Sequence, residues 1–181
     1  MPVRRRAIRT PGGSVELPDV IARQDIQRVI NAYAVCFDYM IWDRMETLWA
    51  DDAVLIPPGG TRIEGRAAIM SRLRRMEIRD LIAAGAAAAG RAPLTFMRHH
   101  VTTCDITIDD ATTAHGTTYF AVITDAGLDQ AGVYRDEFRR IDGRWLFSVR
   151  RARVDLITPD AYFGVTRAAV AADLAREGLD R

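Results

Sequence analysis

Asp38 and His99 are the residues in this chain whose types best fit acid–base chemistry. A carboxylate that orients an imidazole makes a general base that works near neutral pH. Asp38 closes an amphipathic stretch, Tyr33-Ala34-Val35-Cys36-Phe37-Asp38. His99 opens a β-rich one, Met97-Arg98-His99-His100-Val101-Thr102-Thr103. They are far apart in the chain, so only a fold can pair them. His99 and His100 are neighbours on a strand and face opposite sides. Alternation alone does not choose between them: Met97 and Val101 share the parity of His99, while Cys104, Ile106 and Ile108 share that of His100. A bulge reconciles either choice. Tyr33 and Phe37 lie one turn apart on the face that leads to Asp38. Tyr119 and Tyr134 read as inward aromatics on strands. Asp136 shares the parity of Tyr134 and Phe138, and if buried it needs a cation such as Arg150 or Arg151. Asp43 reads as the first-turn residue of the following helix. No HxH or HExxH spacing is present, so no metal site is expected.

The bulk composition narrows the chemistry further. At 181 residues the chain fits one domain with a sizeable core. A net charge of +1 gives no electrostatic case for nucleic acid or a membrane surface. All 25 basic residues are Arg, which excludes a Schiff-base or P-loop lysine. The longest apolar runs are too short to span a bilayer. Met1-Pro2-Val3-Arg4-Arg5-Arg6 is basic but no apolar segment follows, so it reads as an arm and not as a signal peptide. Cys36 and Cys104 sit among apolar residues as small core residues, which fits a reducing cytoplasm.

The elements that must position these side chains follow from periodicity. Residues 1–16 read as a disordered or extended arm, 17–165 as the folded domain, and 166–181 as a C-terminal helix or tail. Pro18 and Asp19 suit a helix start. Ile26, Val29, Ile30, Tyr33 and Phe37 then recur at helical spacing to about Cys36. A second helix is expected over Trp42 to Ala50. Ala53–Ile56 reads as a buried strand with a hairpin partner at Thr61–Glu64, and Gly65 to about Ala84 as a third helix. Ala83–Pro93 is Ala/Gly-rich and reads as a loop or a fraying helix end. Leu94–Asp109, Ala114–Thr124, Gly132–Ile141 and Arg144–Leu156 are four strands separated by turn signals such as Asp142-Gly143. Short turns between consecutive strands imply an antiparallel meander. Helices laid on one face of a bent sheet give an α+β architecture with a pocket for a small, mostly apolar molecule.

This order, with Phe37-Asp38-x-x-x-Trp42-Asp43-Arg44-Met45, resembles the SnoaL-like branch of the nuclear-transport-factor-2-like superfamily. Leu48–Val54, Ile63–Ile69 and Tyr134–Phe147 resemble that family's element junctions and its last hairpin. The resemblance covers about residues 18–160. It implies a cone-shaped α+β barrel, with three N-terminal helices on a strongly curved antiparallel sheet. The Asp-then-His layout is most similar to scytalone dehydratase, lindane dehydrochlorinase and bile-acid 7α-dehydratase, which use such a pair in β-elimination. Carried over, the Asp is Asp38, the His is His99, and a polar residue five positions before the Asp is Tyr33. Tyr134 falls where scytalone dehydratase has a substrate-binding amide, and Arg150 near a pocket residue of the dehydrochlorinase. Phe37 stands where scytalone dehydratase has a pocket tyrosine, which argues against that substrate. His115 is out of register with that enzyme's second histidine.

The expected function is a cofactor-independent lyase or isomerase for a small, hydrophobic, ring-containing substrate. Asp38, His99 and Tyr33 are the expected catalytic residues. Tyr134, Arg150, Trp42, Phe37, Tyr119 and Phe138 are the expected substrate contacts, with Trp49, Phe96 and Phe120 as further apolar wall and Pro159–Gly164 as a lid. Homo-oligomerisation as dimer or trimer is expected on family grounds. Two other readings stay open on this scaffold. One is a non-catalytic binding or assembly role, as in a ring-hydroxylating dioxygenase small subunit. The other is epoxide hydrolysis, for which Asp136 with Arg150 or Arg151 gives a partial cluster.

Overall fold

The computed structural model describes residues 16–75, 90, 92–162, 170–171 and 175. The chain opens with α1 (Leu17–Asp38), which has Pro18 and Asp19 in its first turn. Its inner stripe of Ile26, Ile30, Tyr33 and Phe37 is buried. A short α2 (Trp42–Glu46) leads into β1 (Trp49–Ile56), β2 (Ile63–Glu64) and α3 (Arg66–Arg75). Four long strands follow: β3 (Met97–Ile108), β4 (Thr113–Thr124), β5 (Gly127–Ile141) and β6 (Arg144–Ile157). They form one open, mixed, six-stranded sheet in the order β2-β1-β6-β5-β4-β3. The helices pack against this curved sheet, α1 on β3 and β6 and α3 on β1, in a cone-shaped α+β arrangement. Among the described residues no helix is long and apolar enough to cross a membrane.

Three element boundaries differ from the sequence expectation. The second helix stops at Glu46, and Trp49 and Ala50 belong to β1. Trp49 pairs with Phe147, and Phe147 donates its N–H to the Leu48 carbonyl at 2.9 Å, so sheet pairing overrides the helical spacing of Met45, Leu48 and Trp49. β1 also runs parallel to β6, which extends the meander through a long-range pairing that turn signals cannot announce and makes the sheet mixed, where an antiparallel one is expected from the sequence. The third strand of the meander begins at Gly127, five residues before the expected Gly132, because bulges absorb the extra length. The Asp142-Gly143 turn has the expected form, with both residues at positive φ (49° and 77°). The N-terminal arm, the C-terminal half of the expected third helix and most of the last helix lie outside the described residues.

Register divides the inner face of the sheet into rows, because directly opposed residues share a side. One row is His99, Val122 and Gln130; the next is Val101, Phe120 and Gly132. Below them lie Cys104, Thr118 and Tyr134, then Gly116, Asp136 and Arg150, then Ala114, Phe138 and Phe147. The rows bend through register shifts at Thr102/Cys104, Val122/Ile123, Ala131/Gly132 and Glu137/Phe138. Gly132 shows how tightly one bend is made: a Cβ added there meets the Arg153 carbonyl oxygen at 2.0 Å. That atom is backbone and cannot rotate away. Gly132→Ala is therefore expected to cost ~1–3 kcal/mol by overpacking, read as a lower denaturant midpoint at unchanged m-value.

Candidate active site

The site begins with the way α1 ends. Met40 N–H donates to the Phe37 carbonyl at 3.2 Å and Ile41 N–H to the Cys36 carbonyl at 2.8 Å. With Met40 at φ 56°, these bonds form a Schellman-type stop and make Asp38 the last helical residue. The stop carries two local penalties. A left-handed non-glycine residue costs ~1–2 kcal/mol, and a carboxylate at the negative end of the helix dipole is disfavoured. No basic residue in the last turn of α1 offsets that charge.

β3 offsets it from across the fold. Asp38 Oδ1 lies 2.6 Å from His99 Nδ1, and Asp38 Oδ2 accepts the His99 backbone N–H at 2.9 Å. The two side chains are 5% and 8% exposed. The carboxylate thus holds the ring and the strand that carries it. With Nδ1–H donated to Asp38, Nε2 is the ring nitrogen with a free lone pair. His99 faces inward because β3 changes parity after it. Thr103 sits at φ 30° and the register slips between Thr102 and Cys104. Met97, His99 and Val101 face the core before the bulge, and Cys104, Ile106 and Ile108 after it. His100 is exposed on the other side. His115 pairs with Asp109 at 2.9 Å, both partly exposed. Cys36 and Cys104 are free thiols, the second 3.2 Å from the Thr118 hydroxyl.

A chain of rings leads inward from the dyad. Phe37 lies edge-on to the His99 ring, with centroids 5.0 Å apart, and contacts Trp42 at 6.2 Å. Tyr33 touches Phe37, Tyr134 and Trp49 at 6.0–6.1 Å between centroids. Tyr134 stacks on Phe120 at 4.4 Å. Beneath the tyrosines is an ion pair. Arg150 Nε and Nη2 each donate to an Asp136 oxygen at 2.8 Å, and neither side chain is exposed. The Arg150 Cζ lies 4.1 Å from the Tyr33 and Tyr134 ring centroids and 4.2 Å from that of Phe147. Among the described residues its Nη1 has no hydrogen-bond partner, and the three ring faces add compensation for its charge. Burial opposes the charge of Arg150, but the Asp136 carboxylate outweighs it and holds the guanidinium above its ordinary range. Burial raises the phenol pKa values of Tyr33 and Tyr134, so both stay protonated.

The structure brings together Asp38, His99, Phe37, Trp42, Tyr33 and Tyr134, and encloses Arg150 beneath them. Phe138 lies on the far row beside Phe147, with rings 5.2 Å apart, and not near His99. Tyr119 corrects the sequence expectation: it is 52% exposed on the outer face, because its neighbours Thr118 and Phe120 take the inward positions. Phe96 is likewise exposed, packed under Arg98 at 5.1 Å. In the expected lid, Tyr162 donates its N–H to Asp129 Oδ2 at 2.5 Å and its hydroxyl to the Ala92 carbonyl at 3.1 Å. Asp125 lies in the turn between β4 and β5 and is not among the expected site residues. Its carboxylate accepts the N–H groups of Thr95 and Phe96 at 2.7 and 2.9 Å and anchors the entry to β3. Only contacts from a distant part of the chain reveal that role.

Comparisons with known proteins agree with this architecture. A family model described as a SnoaL-like domain matches residues 18–151, and the chain belongs to that family. No curated protein matches the sequence. Among solved structures, a type 2 hexachlorocyclohexane dehydrochlorinase (LinA) is similar at 20% identity and a TM-score of 0.65, over 80% of this chain and 93% of that one. A candidate scytalone dehydratase from Novosphingobium aromaticivorans DSM 12444 is similar at 18% identity and 0.62, over 78% and 89%. The beta subunit of a candidate aromatic-ring-hydroxylating dioxygenase from the same organism is similar at 18% identity and 0.59, over 77% and 93%. At these identities the likeness shows the fold.

Two outcomes follow from the buried groups. Asp136→Asn strands the Arg150 charge and is expected to cost about 3–5 kcal/mol in chemical denaturation. The raised phenols give stability that is complete below the ordinary tyrosine value of about 10 and is lost as pH climbs toward their folded values. The phenolate absorbance of Tyr33 and Tyr134 should therefore emerge only with alkaline unfolding. Tyr33→Phe and Tyr134→Phe should each remove part of that late step and leave the earlier one intact.

Proposed function

We propose that this chain is a cofactor-independent lyase of the β-elimination type. The observation that carries the reading is the two-point grip of Asp38 on His99, 2.6 Å to the ring and 2.9 Å to the backbone. Two of the similar structures are named for eliminations, one a dehydrochlorinase and one a dehydratase, which supports the same class. His99 Nε2 takes a proton from a carbon next to an electron-withdrawing group. The C–H electron pair becomes the new C=C bond while the bond to the leaving group on the adjacent carbon breaks with its pair. For a hydroxyl leaving group, the imidazolium returns the proton and water departs. Asp38 stabilises the imidazolium between these steps, as an orienting carboxylate does in other dyads. Isomerisation is the same chemistry with the proton returned to a different carbon.

In this reading Tyr33 and Tyr134 act as hydrogen-bond donors where negative charge develops, since burial keeps both protonated. Arg150 acts through them: its enclosed guanidinium fixes the two rings from below. Phe37, Trp42 and Phe120 supply the apolar surroundings that suit a hydrophobic ring. The test is turnover of a panel of cyclic β-hydroxy ketones, followed by absorbance of the conjugated product. Asp38→Asn and His99→Gln are each expected to lower kcat by about 10²–10⁴-fold with the circular dichroism spectrum unchanged. Full activity in either variant would falsify the dyad. No turnover across the panel would favour an assembly role.

A further inference from the structure

The outer face of the sheet carries an apolar patch with charged groups at one end. Its positions alternate along each strand with the inward Phe120, Tyr134, Asp136 and Arg150. Tyr119, Leu128 and Leu156 are 52%, 38% and 46% exposed there. Register puts Ile123 beside Leu128, Ala121 beside Ala131 and Tyr119 beside Val133, in successive rows across β4 and β5. Contiguous apolar patches left exposed in this way mark contact sites. The next row runs Asp105, Thr117, Arg135, Arg151 from β3 to β6. The row after it sets His115 beside Glu137. Arg135 and Arg151 stand directly opposed, and like charges so placed destabilise a sheet. Burial and the nearby Arg153 and Arg151 disfavour the charge on Arg135. An acid facing the arginine end of the row relieves that repulsion. The row's own acid, Asp105, is exposed at its other end, three strand spacings or roughly 14 Å from Arg151. That is too far for the two to pair within one chain.

The geometry points to a second copy of this chain as the occupant of this face, docked about a twofold axis that runs along the strands between β4 and β5. Half a turn about that axis sets β4 of one copy over β5 of the other, and β3 over β6. Each row then lies over its own reversal. Asp105 of one copy comes over Arg151 of the other, and the same contact repeats on the far side of the axis, as an isologous interface requires. Thr117 comes over Arg135, and His115 over Glu137. In the apolar rows Tyr119 meets Val133, Ala121 meets Ala131, and Ile123 meets Leu128. Charged rows therefore face charged rows of opposite order, and apolar rows face apolar rows. A twofold axis across the strands instead lays the apolar rows on the charged ones. The strands of the two copies stay roughly aligned, as in packed sheets generally. Four strands about 4.8 Å apart and five rows about 6.7 Å apart span roughly 600 Å² in plan. A stable contact takes about 800 Å² of accessible surface per partner, which a corrugated patch of that plan area supplies.

The experiment is sedimentation equilibrium on the full chain at micromolar concentration. The wild type is expected to sediment as a dimer. Asp105→Arg and Arg151→Asp each bring like charges together at both flanks of the interface. Each is expected to raise the dimer dissociation constant at least about tenfold, with the circular dichroism spectrum unchanged. An equimolar mixture of the two variants is expected to recover the wild-type dimer, because every flank contact then again joins one arginine to one aspartate. That recovery cannot arise within a single chain, since each chain in the mixture carries one change only. A monomeric or trimeric wild type overturns the inference, and so do variants that dimerise like the wild type. Variants that lose the dimer and do not recover on mixing also overturn it, because the loss then has another cause than the Asp105–Arg151 contact.

Discussion

The attachment of α1 to β3 through one carboxylate is the constraint on which the site depends. Asp38 occupies a position that local rules disfavour: buried, at the negative end of a helix, next to a left-handed methionine. The last turn of α1 carries no basic residue to offset its charge. The ring and backbone of His99 do, and they come from 61 residues further along the chain. The helix end is therefore stable only when the sheet is in place, and the imidazole is oriented only when the helix is. Asp125 strengthens the same joint by holding Thr95 and Phe96 just before β3 begins. Two carboxylates thus fix the entry of the strand, one on each side of it.

The second organising element is the enclosed ion pair. Arg150 and Asp136 face each other directly across β5 and β6, so the sheet itself sets their geometry. Enclosed pairs of this kind give little net stability, but they are costly to break and they restrict what can pack around them. Here they restrict Tyr33 and Tyr134, whose rings flank the guanidinium. A helix residue and a sheet residue are thereby locked to one cation. The dyad and the tyrosines are linked through Phe37, which touches both His99 and Tyr33.

Much of this was legible from residue types. The helix from Pro18 to Asp38, the four-strand meander and the pairing of Asp136 with an arginine follow from period, turn chemistry and the cost of a lone buried charge. Three features were not legible. Trp49 has helical spacing with Met45 but is claimed by Phe147 across the sheet. Tyr119 and Phe120 are both aromatic, and apolar character does not say which of two neighbours on a strand faces in. Gln130 looks like any polar strand residue until the register sets it beside Val122 and His99. For Trp49 the deciding contact comes from a strand distant in sequence, and for the others from the register of neighbouring strands.

The bulge at Thr103 gives β3 a counted length. Residues before it and residues after it face the core on opposite parities, so the strand tolerates a single inserted or deleted residue only at that point. Between the bulge and His99 a one-residue indel keeps every apolar position of the lower strand in place and turns the imidazole to solvent. The short run from His99 to Thr102 is therefore held to a fixed spacing by geometry alone.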